Sequence, residues 1–160
     1  MLYEELVRDF AARTLKNLEF IESAVGRHEV YESTQLINSM LGLLIFPVEQ
    51  YVKKIDERFG INLELQSSIS KIQTLKYSKR AEDKYQILIL MRNAFSHKNI
   101  RIESSNNKDV TSLVLWNSST GECEEKEANW KVEISILDLR SLGVALAKTI
   151  EKNLLAVAAD

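Results

Sequence analysis

The segment Arg92-Asn93-Ala94-Phe95-Ser96-His97 holds the residues of this chain best suited to chemistry. An unperturbed imidazole titrates at about 6.5, so it takes and returns a proton near neutrality. A guanidinium offers a planar fork of donors that matches phosphate oxygens as charge builds on them. Asn93 is placed to orient either a phosphate or His97. The set suits a ribose phosphodiester, because RNA carries its own nucleophile, the 2′-hydroxyl. No metal is needed in that scheme and no cofactor is implied. The two histidines, His28 and His97, are separated by most of the helical core and give no metal-ligand spacing. His28, after Gly26 and Arg27, reads as a solvated turn residue. The structural alternative stays open: Arg92 in a buried ion pair, and His97 bonding the last carbonyls of a helix. Ser96 reads as structural.

The segment must be carried by a helix. Starting from a candidate N-cap at Ser78, a helix is expected from about Lys79 to His97. At about 100° per residue, Lys84, Ile87, Leu88, Met91 and Phe95 share one face that packs on the rest of the molecule. Tyr85, Ile89, Arg92, Asn93, Ser96 and His97 lie on the other side. That second face is apolar for two turns and then becomes a cluster of Arg, Asn, Ser and His. A helix apolar on two faces is usually covered on both. A second copy of the chain, docking by a two-fold contact through the Tyr85/Ile89/Arg92/His97 face, would bring two guanidinium–imidazole pairs together. Lys84 and Arg80 precede the motif, and Lys98 and Arg101 follow it. With Ser96 they are candidates for contacts to an RNA backbone.

Around this helix, apolar spacings of three and four predict a helix from Leu2 to Val25, with Leu2, Leu6, Phe10, Leu15, Leu18, Ile21 and Val25 inward and Gly26 as its stop. A second helix is expected from Tyr31 to Phe59, kinked or broken near Phe46 by Pro47. A shorter helix falls somewhere in Leu63 to Leu75, and Glu103 to Asp109 reads as a loop. Thr111 to Trp116 and Asn129 to Ile136 show strand character. In the second, Trp130, Val132, Ile134 and Ile136 alternate with polar residues. These two form a β-hairpin with a long charged connection, and Trp116 and Trp130 are expected to pack across it. Ser135 and Asp138 form a capping-box pattern opening a last helix from Leu137 to Val157, with Leu139, Leu142, Leu146, Ile150 and Leu154 inward. The expected architecture is all-α: one domain over 1–160, a bundle of four to five helices with a hairpin inserted at about 110–136.

Composition agrees with a soluble globule. Five glycines and one proline among 160 residues favour long helices over a sandwich with many tight turns. The 21 Lys and Arg against 23 Asp and Glu give a net charge of −2. Any nucleic-acid contact would therefore be a local patch. The single cysteine, Cys123, excludes an intrachain disulfide. Met1 to Glu5 is acidic and amphipathic, unlike a secretory signal, and the most apolar stretches are too short to span a bilayer. The chain is expected to be cytoplasmic, with no membrane partner. The Asn117-Ser118-Ser119 glycosylation pattern then reads as chance. No Gly-rich phosphate loop, nucleophile elbow or paired-carboxylate motif occurs.

Arg-Asn-x-x-x-His closing a helix resembles the HEPN superfamily, whose signature is Arg, four to six residues, then His. The gap here is four, and the residue after Arg is polar, as is common in that family. The stretch Gln35-Leu36-Ile37-Asn38-Ser39-Met40-Leu41-Gly42-Leu43-Leu44-Ile45-Phe46-Pro47 and the later hairpin are similar to a plasmid- and bacterial-genome-borne HEPN subgroup. The resemblance runs from about Leu2 to Leu155. It implies a dimeric, metal-independent endoribonuclease leaving a 2′,3′-cyclic phosphate, with Arg92, His97 and Asn93 catalytic. Such domains act as toxins, in anti-phage defence and in CRISPR systems, so an antitoxin or defence-system protein is an expected partner. One toxin subgroup carries a Tyr two residues after the His; this chain has Asn99 there. The rival readings are a HEPN-like module that binds RNA, a nucleotide or a protein without cutting, and a regulatory subunit that meets a different protein.

Overall fold

The computed structural model describes residues 3–58, 63–78, 81–106, 109–118 and 123–157. Side chains are described over the same ranges except 3–5, 46–58, 85 and 153–157. The described residues form α1 (Tyr3–Ala24), α2 (Glu32–Arg58), α3 (Leu63–Ser70), β1 (Gln73–Lys76), α4 (Lys84–Ser96), β2 (Ile100–Ser104), β3 (Val110–Asn117), β4 (Trp130–Ser135) and α5 (Ile136–Val157). A 3-10 turn, Glu125–Glu127, precedes β4. The all-α expectation is therefore wrong. The strands make one four-stranded sheet, ordered β1-β4-β3-β2 with every neighbouring pair antiparallel. The architecture is mixed α/β, and the expected hairpin is only its centre.

Alternation places the sheet. In β4, Trp130, Val132 and Ile134 are buried while Lys131, Glu133 and Ser135 are half-buried. Their partners Asn117, Leu115 and Leu113 on β3 share the inward face, since side chains on paired strands alternate together. That face joins the helices in one core with Leu88, Met91, Leu139 and Leu142. The outward face carries Val114 and Trp116, which cluster with Ala128 and Cys123. Trp116 and Trp130 thus sit on opposite faces, not packed as a pair: Trp116 opposes Lys131, and Trp130 opposes Asn117.

The helices keep their period but shift their stripes. In α1 the buried line is Val7, Ala11, Thr14 and Leu18, while Leu6 and Val25 are exposed. Gly26, at φ 77°, follows the last turn as expected. In α2 the helix continues unbroken past Pro47 to Arg58, so the expected break does not occur; its end at Phe59 lies outside the described residues. Gly42 lets α1 approach closely: a Cβ there would stand 2.5 Å from Phe10 Cζ. Ser135 caps α5: the Asp138 N–H donates to Ser135 Oγ at 3.1 Å, and that hydroxyl donates to Asp138 Oδ2 at 2.7 Å. Along α5, Leu139, Leu142, Leu146 and Ile150 are buried, as their spacing implies; the side chain of Leu154 lies outside the described residues. Arg140 of α5 reaches Glu22 of α1, with Nη2 to Oε2 at 2.6 Å, and the guanidinium holds the Glu22 carboxyl below its ordinary value. Among the described residues no helix is long and apolar enough to cross a membrane.

Candidate active site

The motif helix is shorter than its pattern suggests. It begins at Lys84, so Ser78 is not its N-cap; instead Ser78 O accepts the Ala81 N–H at 2.8 Å. The backbone of Tyr85 is helical, and its side chain lies outside the described residues, as does all of Arg80. Leu88, Leu90, Met91, Ala94 and Phe95 are buried against α2, α3 and β3. Ile89, Arg92 and Asn93 are half-buried, and Ser96 and His97 are exposed. Spaced at about 100° per residue, these last five occupy one continuous arc of the helix. Ile89 at its start packs against the main core, and Ser96 and His97 form its exposed part.

Within the arc, Arg92 Nη1 donates to Asn93 Oδ1 at 2.9 Å, and Arg92 Nε is sealed from solvent. Asn93 O accepts the His97 N–H at 2.9 Å, so Asn93 and His97 stand one turn apart on the same face. Arg92 and Ser96 are related in the same way. Asn93 thus neighbours both other residues: its side-chain oxygen holds the guanidinium, and the exposed imidazole follows one turn on, while Arg92 and His97 themselves stand about 140° apart around the helix.

The way α4 stops determines where His97 stands. Lys98 takes the left-handed conformation, φ 59°. Its N–H donates to Phe95 O at 3.2 Å, and the Asn99 N–H donates to Ala94 O at 2.9 Å. This is a Schellman end with lysine where glycine is usual. Asn99, buried to 1 %, then turns into the sheet. Its backbone oxygen accepts the Trp116 N–H at 3.1 Å and its Oδ1 accepts the Cys123 N–H at 3.3 Å. From β3, Asn117 donates through Nδ2 to the Leu90 carbonyl inside α4. Asn117, the head of the apparent glycosylation pattern, is thus buried. These two asparagines lock the helix end to β3, and reading by type and spacing missed both. Each sits in a polar stretch that looks like loop, and only the pairing of strands reveals that it is buried.

The expected basic flank divides. Ser96 and Lys98 border His97 on the surface. Lys84 stands at the far end of α4, about 20 Å away along a helix rising 1.5 Å per residue, and reaches Ser70 Oγ at 3.4 Å. Arg101 lies on the outward face of the sheet. It grips Glu125 with Nε to Oε2 at 3.1 Å and Nη2 to Oε1 at 3.2 Å, and also meets Glu103. Lys131 joins the same carboxylate at 2.6 Å. The Arg101 bonds, then Lys131, pull the Glu125 carboxyl down to about 2. Among the described residues no three His, Cys, Asp or Glu side chains gather as a metal site would require.

No curated protein and no solved structure matches the chain. The model of one family, described as HEPN pEK499 p136, matches residues 1–155 and so takes in the whole of α4 and the sheet. A match over nearly the whole chain, with Arg92 and His97 at the end of α4 inside it, is decisive: the chain belongs to the HEPN pEK499 p136 family.

Proposed function

We propose that this HEPN protein is a metal-independent endoribonuclease whose site is completed by a second copy docked on the open arc of α4. The observation that carries the reading is the exposed His97, one turn beyond an Asn93 whose side-chain oxygen holds the half-buried Arg92. A two-fold contact there sets two guanidinium–imidazole pairs around one groove. The imidazole of His97 takes the 2′-hydroxyl proton as the 2′-oxygen attacks phosphorus. The P–O2′ bond forms and the P–O5′ bond breaks, with a proton delivered to the 5′-oxygen by the partner's His97 or by water. Arg92 stabilises the charge that accumulates on the phosphoryl oxygens. The products are a 2′,3′-cyclic phosphate and a 5′-hydroxyl. An enzyme of this kind fits a toxin or an anti-phage effector, held in check by an antitoxin or another defence-system protein.

Purified protein incubated with RNA tests the reaction. Cleavage is expected to persist in EDTA and to yield cyclic phosphate ends. His97→Ala and Arg92→Ala should each lower the rate about 100-fold or more while leaving the melting temperature within a few degrees, because general-base and charge-stabilising groups contribute on that scale. RNA binding by all three proteins with no cyclic phosphate would instead assign the chain to the non-cleaving binding modules.

A further inference from the structure

The strand that follows the motif is, among the described strands, the last on its side of the sheet, and it carries an arginine and a glutamate two residues apart on one face. β2 is the last strand in the order β1-β4-β3-β2. Asn99 O accepts the Trp116 N–H, and the register continues Ile100↔Leu115, Arg101↔Val114, Ile102↔Leu113, Glu103↔Ser112. In an antiparallel ladder the residues that exchange bonds with a given neighbour alternate. Asn99, Arg101 and Glu103 therefore spend their backbone groups on β3, and Ile100 and Ile102 direct theirs outward. Ile102 is 53 % exposed, a large apolar side chain at the middle of this edge.

We propose that β2 pairs antiparallel with β2 of a second copy about a two-fold axis through Ile102, joining two four-stranded sheets edge to edge. In that register Ile102 meets the partner's Ile102, and their outward N–H and C=O groups bond reciprocally. Arg101 faces the partner's Glu103, and the converse pair follows by symmetry. The axis stands perpendicular to the sheet, so both ionic pairs fall on the outward face where Arg101 and Glu103 already lie. Within the subunit Nε and Nη2 of Arg101 hold Glu125 and Nη1 meets Glu103 of the same strand, so across the axis the two Arg101–Glu103 pairs stand against each other with their charges alternating. The opposite edge lacks this complementarity. β1 is Gln73-Thr74-Leu75-Lys76, with no acid to face its lysine, and Lys76 is turned to the Ala128 carbonyl. Edge lysines of that kind oppose strand pairing.

The contact is independent of the α4 docking proposed above. Antiparallel β2 strands send the two His97 residues to opposite ends of the new ladder, so this interface links catalytic pairs without building one. A single strand edge buries less than the roughly 1,200 Å² typical of stable complexes, so the association is weak and rises with concentration.

Cysteine trapping tests it. Ile102→Cys places two sulfurs at the axis, where facing Cα atoms lie about 5.5 Å apart, within disulfide reach. Mild oxidation of the full chain is expected to convert Ile102→Cys largely to a covalent dimer, whereas wild type (with Cys123) and Thr74→Cys stay monomeric under denaturing, non-reducing conditions. Adding Glu103→Arg sets two cations opposite each other twice over and should cut the trapping rate roughly tenfold. The trapping should survive Ser96→Glu, which puts a like charge on the exposed part of the α4 arc and leaves β2 untouched. Ile102→Cys trapping no better than Thr74→Cys, with circular dichroism showing a folded chain, overturns the proposal. So does trapping that ignores Glu103→Arg.

Discussion

At the scale of single residues, the chemistry rests on how α4 ends. A non-glycine residue in the left-handed region costs on the order of 1 kcal/mol. Lys98 bears that strain immediately after His97, and strained backbone of this kind gathers at functional sites. Glycine would relax it, so Lys98→Gly is expected to raise stability by about 1 kcal/mol in urea unfolding. The same change removes a cation beside the imidazole. If RNA lies across the arc, the salt slope of its binding should fall by about one unit. A variant both more stable and less salt-sensitive would show that Lys98 is kept for its charge and not for its backbone. That Arg92 and His97 stand at the end of one helix was legible in the sequence, because apolar spacing is enough to show that helix. Asn99 and Asn117 were not. A buried asparagine is written with the same letter as a solvated one, and only the β2–β3–β4 pairing decides which it is.

At the scale of elements, the helices were readable and two strands were not. Five or more turns of apolar spacing identify α1, α2 and α5 whatever else happens, but a four- or five-residue strand carries too few periods. β2 does alternate, Ile100 and Ile102 against Arg101 and Glu103, yet those few residues fell between a helix read to His97 and a loop read from Glu103 and were given no element. β1 has no buried residue at all, so it has no hydrophobic pattern to read. Beyond their backbone ladders, the late strands share an ionic tie: Glu125 on the 3-10 turn takes Arg101 of β2 and Lys131 of β4. The folded Glu125 carboxyl titrates at about 2, below the roughly 4.3 of an unfolded glutamate. Its contribution is therefore fully present above the unfolded value and is lost as pH falls from about 4.3 towards 2. Glu125→Gln should lower the melting temperature modestly at neutral pH, since solvent screens these half-exposed partners. It should also flatten the wild-type decline through that acid window. A decline of unchanged steepness would place the acid sensitivity elsewhere, with the Glu22–Arg140 pair between α1 and α5 the next candidate.

At the scale of the whole molecule, one subunit presents one guanidinium and one imidazole on an arc facing outward, and the net charge of −2 gives no long-range pull on RNA. A lone arc of this kind would hold a phosphate poorly, because one half-buried arginine must both capture the strand and stabilise the transition state. In the proposed dimer two arcs would divide those tasks. This division has a consequence that single-site variants cannot reveal. Arg92→Ala and His97→Ala homodimers each lack one function twice. A mixed dimer keeps one intact guanidinium, from the His97→Ala chain, and one intact imidazole, from the Arg92→Ala chain, in the same groove. Unfolding and refolding the two inactive proteins together should therefore restore cleavage above either parent. The yield should peak near an equimolar mixture, where about half of randomly paired dimers are hybrid. Activity regained in this way requires Arg92 of one chain to work with His97 of the other across the axis. If the equimolar mixture stays as inert as its parents while hybrid dimers are present by mass, each pair acts within its own subunit. The groove between subunits would then serve only to hold RNA.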